Sequence, residues 1–205
     1  MATNGHQIFA ALYDRMNGAA EKRFLGGRRA GLLEGLAGEV LDVGAGTGAN
    51  LRYLHRAARV VATEPDPAMR RRLVERAAET PVQVDDAAAE ALPYPDASFD
   101  AVLFTLVLCT VADPDRALAE ARRVLRPDGR LMVLEHVRGT GGLARWQDRV
   151  TPLWNRLAAG CHPGRDTRAA VERAGFRFVE VEEFKPIPRW IPVSPWLQGV
   201  ATRAS

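Results

Sequence analysis

Cysteine is scarce in this 205-residue chain, present only as Cys109 and Cys161. The two lie far apart and form no CxxC pair, so their spacing suggests neither a disulfide framework nor a zinc site, and no metal is expected. A reducing, cytoplasmic setting fits best. Lysine is also rare: of 28 basic residues only Lys22 and Lys185 are lysine, a bias that nothing in the sequence explains. No block of one charge exists, since the basic residues are scattered and the net charge is only +3. A nucleic-acid partner is therefore not expected. Long hydrophobic runs are missing as well. The longest, Ala101 to Ala112, contains Thr105 and Thr110 and is bounded by Asp100 and Asp113. It falls well short of the ~20 residues that span a bilayer and reads as a buried strand. The start, MATNGHQIFAALYDRM, has no apolar stretch between a basic end and a small-residue cleavage site, so no secretory signal is indicated. Repeats and low-complexity segments are absent. What is present is ordinary soluble usage, 47% hydrophobic and 26% charged, at a length that suits one domain.

The chain begins with helical spacing at Ile8, Phe9, Leu12, Tyr13 and Met16, then Leu25, a Gly-Gly break and a second helical segment from Arg28 to Leu36. From Glu39 a strand and helix rhythm sets in, with VLDVG as a strand, a helix over Thr47 to Ala57, RVVATEP as a strand and a helix over Pro67 to Glu79. Asp66-Pro67 and Asp113-Pro114 are matching helix-start signals, an N-cap carboxylate followed by proline at the first position. PVQVDD and FDAVLFTLVL supply strands three and four; RLMVLEHV follows the RPDG turn as strand five. Such alternation predicts an α/β fold, a Rossmann-like seven-stranded, mostly parallel sheet flanked by helices. Residues 1–38 would form a helical lid, 39–137 the cofactor-binding core, 138–166 an insertion after strand five on the acceptor side, and 167–205 a helix and two closing strands.

The most informative segment is VLDVGAGTGAN, in which a buried strand runs into Gly44, Gly46 and Gly48. Glycines there remove the Cβ atoms that would keep a ligand off the backbone, and a helix start beyond them would offer free N–H groups to a phosphate or a carboxylate. GAGTGA also satisfies the G-x-G-x-x-A dinucleotide pattern, so an NAD-linked oxidoreductase is a rival reading. Asp42, two residues before the first glycine, suits an amine-bearing ligand better than a pyrophosphate. Glu64 at the end of the next strand suits a ribose diol in either reading.

Together with VDDAAAEALPYPDASFD these pieces resemble the class I methyltransferases that use S-adenosylmethionine, and the likeness covers nearly the whole chain. On that resemblance Tyr13, Asp42, Gly44, Ala45, Gly46, Gly48, Asn50, Glu64, Pro65, Asp86, Ala89, Glu90 and Leu106 would contact the cofactor. A narrower likeness lies in FTLVLCTVADPDRALAEARRVLRPDGRLMVLEHV and TPLWNRLAAGCHPGRDT, which resemble the methyltransferase-like 7 family of alkyl thiol S-methyltransferases. It implies a small thiol as acceptor, with N- or O-methylation of a lipid amine, a quinone or another metabolite as the alternative. The chain departs by lacking that family's apolar N-terminal anchor, so a soluble relative is expected. His136, ending strand five where ligands of open parallel sheets bind, is the candidate base, and Glu135 beside it a supporting partner. Trp154, Cys161 and His162 would face the acceptor, Arg145 or Arg165 would steady a thiolate, and Cys109 reads as a small buried hydrophobe.

Overall fold

In a computed structural model of the chain, residues 18–158, 160–188 and 190–204 are described. Seven strands, β1 (Glu39–Val43), β2 (Arg59–Thr63), β3 (Val82–Asp85), β4 (Phe99–Thr105), β5 (Leu125–His136), β6 (Phe176–Phe184) and β7 (Trp196–Arg203), form one sheet in the order β3-β2-β1-β4-β5-β7-β6. The first five are mutually parallel, and β7 runs antiparallel between β5 and β6. This is the mostly parallel arrangement that the strand and helix rhythm predicts.

Central strands of a parallel sheet are buried on both faces, and period-2 alternation sends successive side chains to opposite sides. Leu41, Val43, Val102, Phe104, Leu131 and Val133 face one core, closed by α3 (Pro114–Val124) and α5 (Thr167–Arg173) through Leu118, Ala121 and Val171. Val40, Ala62, Leu103, Met132 and Leu134 face the other, closed by α1 (Gly26–Leu33) and α2 (Pro67–Ala77) through Leu32, Leu33 and Leu73. By the same alternation Asp42 on β1, Thr105 on β4 and His136 on β5 point to the α1 side, and Glu135 to the other. The N-caps form as expected, Asp66 accepting from the amides of Ala68 and Met69 and Asp113 from that of Arg116.

Three local expectations are corrected. Gly26 and Gly27 do not break the first helix, because a π-helical turn over Glu21–Leu25 runs directly into α1. Strand four stops at Thr105, where Leu106 takes a positive φ of 64° and turns the chain out of the sheet. Strand five begins earlier, at Leu125, because Leu125 pairs with Phe99 of β4 before the RPDG segment bulges out and pairing resumes at Arg130 opposite Ala101. The segment after β5 forms α4 (Gly142–Leu157). No helix among the described residues is long and apolar enough to cross a membrane.

Candidate active site

Between β1 and β2 the chain passes through Gly44, Gly46 and Gly48 at φ of +62°, +60° and +86°, the left-handed region that side chains resist. A Cβ on Gly44 would lie 2.9 Å from Val107 and one on Gly48 3.0 Å from Leu73, whereas one on Gly46 would meet nothing within 4 Å. Gly44 and Gly48 thus permit close packing, and Gly46 leaves its backbone facing open space. Gly46→Ala should cost only the left-handed strain, about 1–2 kcal/mol. Gly44→Ala adds a clash and should lower the melting temperature further; equal losses in thermal unfolding would contradict this geometry.

The helix expected over Thr47 to Ala57 does not form. Short-range turns, from Gly48 N–H to Ala45 O, Leu51 to Gly48 and Tyr53 to Asn50, replace it, with a single 3-10 turn at Leu51–Tyr53. Left-handed glycines at every second residue cannot begin an α-helix, and Asn50 is drawn away into a buried network. The sequence argument from free N–H groups at a helix start therefore does not apply.

That network forms the floor of the loop. Asn50 Nδ2 donates to Asp42 Oδ1 at 2.8 Å and to Thr105 Oγ1 at 2.9 Å, while the buried Arg29 guanidinium on α1 donates to Asn50 Oδ1, to Thr105 Oγ1 at 2.9 Å and to Glu21 at 3.2 Å. Asp42 Oδ2 is buried with no hydrogen-bond partner among the described residues. Burial pushes the Asp42 carboxyl up to about 7, against the opposing pull of Asn50 and Arg29. A folded-state value above the unfolded one gives stability that is fully present below the unfolded value and is lost as pH rises through about 7. Asp42→Asn should therefore stabilise the ligand-free protein most above neutrality, with the gain fading in acid, while weakening cofactor binding. A thermal-shift gain independent of pH would remove burial of the charge as its cause. Arg29 carried no signal in the sequence, where it is one of many arginines.

Glu64 closes the loop from β2. Its Oε2 accepts from Gly46 N–H at 2.9 Å and its Oε1 from Asp66 N–H at 2.8 Å, and burial raises its pKa despite both bonds. Ala45 is tied to Thr63 O through its N–H at 2.8 Å. Pro65 and Asp86 are exposed near the same edge, and Ala89 is buried in the core. Glu90 is used locally, its carboxylate accepting from Ala112 and Asp113 N–H and so bracing the start of α3. Leu106 packs against the α1-side core from its strained position. Tyr13 lies outside the described residues.

The other half of the site stands at the carboxyl ends of β4 and β5. Glu135, fully buried, accepts from Val107 N–H at 2.6 Å and Leu108 N–H at 2.8 Å, fixing the turn that carries Cys109. Burial raises its pKa. Glu135 thus braces the turn after β4 instead of pairing with a nitrogen of His136, whose Nδ1 is buried without a hydrogen-bond partner among the described residues. The Nε2 of His136 lies 3.4 Å from Cys161 Sγ, and Trp154 Nε1 donates to the same sulfur at 3.3 Å. His162 N–H donates to Cys109 O at 2.8 Å, which draws the segment after α4 onto the turn after β4. Cys109, His136 and Cys161 consequently present one ligand atom each within 4.8 Å of one another. Cys161 is the sulfur held toward thiolate, its pKa lowered by the neighbouring Cys109 thiol and by His136 and Trp154, with burial opposing; Cys109 is pushed up in turn. The reading of Cys109 as a plain hydrophobe captures its burial but misses its neighbours. Spacing rules could not find this cluster, because its members come from three separate segments. Of the two arginines considered, Arg165 is the one nearby, donating to Leu108 O at 2.5 Å. With Asp148, Thr151, Pro152, His162 and Gly164 it lines a cavity of about 250 Å³.

A glycine loop against an acidic strand end, on a sheet of this order, defines a Rossmann-like nucleoside-binding enzyme, and comparison with known proteins narrows the class. Residues 41–133 match the methyltransferase domain family. An S-adenosylmethionine-dependent methyltransferase from Mesorhizobium loti superposes with a TM-score of 0.69 at 25% identity, covering 91% of this chain and 99% of the other. The YcgJ protein of Bacillus subtilis, at 17% identity, shares the fold with a TM-score of 0.69 over 86% of this chain and 99% of its own. The chain is a class I S-adenosylmethionine-dependent methyltransferase, and the oxidoreductase reading of its glycines falls away.

Within that class it belongs to the family that contains the thiol S-methyltransferases. It is 36% identical over 181 residues to thiol S-methyltransferase TMT1B of Rattus norvegicus, covering 83% of this chain and 74% of the relative. Human TMT1A is 34% identical over 171 residues, with 80% of this chain and 70% of the relative covered. A ubiquinone/menaquinone biosynthesis C-methyltransferase, UbiE of Hahella chejuensis, is 38% identical over 203 residues, covering 81% and 79% of the two chains. The residues present fit S-adenosylmethionine: Asp42 keeps a buried, unsatisfied carboxylate oxygen suited to an amine, and Gly46 opens onto free space.

Proposed function

We propose that this methyltransferase acts on the sulfur of a small thiol, and that the thiol is ionised at His136. The observation that supports the reading is the buried His136–Cys161 contact, held by Trp154, at the carboxyl ends of β4 and β5. The relatives named thiol S-methyltransferase favour the same acceptor. Asp42 and Asn50 would hold the amino-acid end of S-adenosylmethionine, the Gly44–Gly48 loop its middle, and Glu64 the ribose. When bound, that cofactor supplies a methyl group on a positively charged sulfur that is already a good leaving group. The chain's own tasks are then to align the acceptor, exclude water and ionise the thiol.

Ionisation matters because a thiol with a pKa near ~8.5 is only a few per cent thiolate at neutral pH. His136 Nε2 is the proton acceptor placed for the task, and Arg165 the cation beside it. His162 and Arg165 also line an open pocket beside this cluster. Both cysteines are free thiols, which favours a cytosolic setting. The test is a product assay with labelled S-adenosylmethionine against thiols, amines, phenols and phospholipids. Label in thioether products supports the reading; transfer to amines or phospholipids with thiols untouched overturns the acceptor and leaves the methyltransferase.

A further inference from the structure

We propose that Cys109, His136 and Cys161 form a three-ligand site for a thiophilic divalent cation, zinc, whose fourth position is open to the acceptor thiol. The three come from separate places, the turn after β4, the end of β5 and the turn after α4, and their ligand atoms lie within 4.8 Å of one another. A tetrahedral zinc ion with bonds of about 2.3 Å to sulfur and 2.0 Å to nitrogen sets its ligand atoms about 3.5–3.8 Å apart. The 3.4 Å between His136 Nε2 and Cys161 Sγ is already close to that edge.

The surroundings agree with the ligand set. Both sulfurs and the imidazole are at least nine-tenths buried, at 1%, 6% and 6% exposure, so ligands need not be gathered from solvent. Trp154 N–H points at Cys161 Sγ, the kind of hydrogen bond that supports a metal-bound thiolate. Glu135 fixes the turn bearing Cys109 through two amides, and the contact from His162 N–H to Cys109 O fixes the turn bearing Cys161. Charge also balances, since two thiolates and a neutral imidazole offset one divalent ion. Arg165, bonded to Leu108 O one residue from Cys109, is a cation at hand for the further negative charge of an entering thiolate.

Three protein ligands with the fourth place free is the pattern of a catalytic zinc site, whereas structural sites are closed by four. No fourth Cys, His, Asp or Glu joins this cluster among the described residues. The step balances simply. On coordination the acceptor S–H bond breaks, its proton passes to solvent and a sulfur–zinc bond forms. The sulfur then forms its bond to the methyl carbon as the bond from that carbon to the sulfonium breaks, with the electron pair going to the departing sulfur. The resulting thioether is a weak ligand and leaves. In this arrangement the Nε2 of His136 is a ligand of the ion, and the ion takes over the ionising role given to that nitrogen above, so the inference deepens the thiol reading and rests on it for the identity of the fourth ligand.

The full chain, purified under a thiol-free reductant, is stripped with a chelator and titrated with zinc, and bound metal is counted after desalting; cobalt is then substituted as a spectroscopic probe. One zinc per chain is expected, with cobalt giving sulfur-to-metal charge-transfer bands and tetrahedral visible bands that shift when a small thiol is added. Cys161→Ser and Cys109→Ser should each weaken zinc binding by at least roughly tenfold, with folding checked independently by the thermal shift produced by S-adenosylhomocysteine. Zinc far below one per chain in the reduced, folded protein overturns the proposal, as does unchanged affinity in both variants or appearance of a Cys109–Cys161 disulfide as the sole effect of treatment. Thiol methylation at full rate in the metal-free chain overturns the open fourth position for the acceptor and leaves the thiol reading standing. A zinc-loaded chain that methylates amines and ignores thiols overturns the thiol reading, together with the fourth-ligand assignment, and leaves the three-residue metal site.

Discussion

Glu64→Ala is expected to raise the dissociation constant for S-adenosylmethionine by roughly one to two decades, since hydrogen bonds to a charged group contribute ~1.5–3 kcal/mol. The structure adds a second consequence. Glu64 also accepts from Gly46 and Asp66 N–H, so its loss loosens the glycine loop and leaves two amides without their acceptor. Some fall in melting temperature should therefore accompany the loss of affinity. The two effects are separable with Glu64→Gln, whose single carbonyl oxygen keeps one of the two backbone bonds but removes the charge. Affinity should fall in both variants, and stability mainly in the alanine variant. Calorimetry showing unchanged affinity in both would remove Glu64 from the cofactor site and leave it as a brace for the loop.

Much of the candidate site's loop geometry was legible because its signals are local. Asp42, Gly44, Gly46, Gly48 and Glu64 sit at the ends of two neighbouring parallel strands, and a strand that ends in glycine after a buried carboxylate declares its purpose within ten residues. The sheet was legible for the same reason: near-continuous apolar strands alternate with helices opened by Asp-Pro. Two failures have a common cause. The stretch from Thr47 to Ala57 has helical composition, but left-handed glycines before it and the capture of Asn50 by Asp42, Thr105 and Arg29 outweigh local propensity. Arg29 and the pairing of Cys109 with Cys161 are products of tertiary packing, and nothing in the spacing of 52 residues between two cysteines reveals that one backbone hydrogen bond, His162 to Cys109, will join their turns.

His136→Gln is expected to lower turnover by roughly 30-fold near neutral pH, the factor by which the acceptor's thiolate is scarce there, and by less as the pH approaches the acceptor's own pKa near ~8.5. The argument runs through ionisation. Glutamine can fill the buried space at the end of β5 but can neither take a proton nor serve as a soft-metal ligand, so both ways in which His136 can ionise a thiol are lost together. What is left is the acceptor's own titration, which supplies tenfold more thiolate for each unit of pH below its pKa and then levels off. Wild-type turnover, by contrast, should depend far less on pH over that range. The ratio of the two, measured under saturating S-adenosylmethionine across the neutral to alkaline range, is therefore the informative quantity. A ratio that shrinks toward one as pH rises assigns His136 to ionisation of the thiol. A ratio that stays constant assigns it to orientation of the acceptor, since a misplaced nucleophile is handicapped equally at every pH.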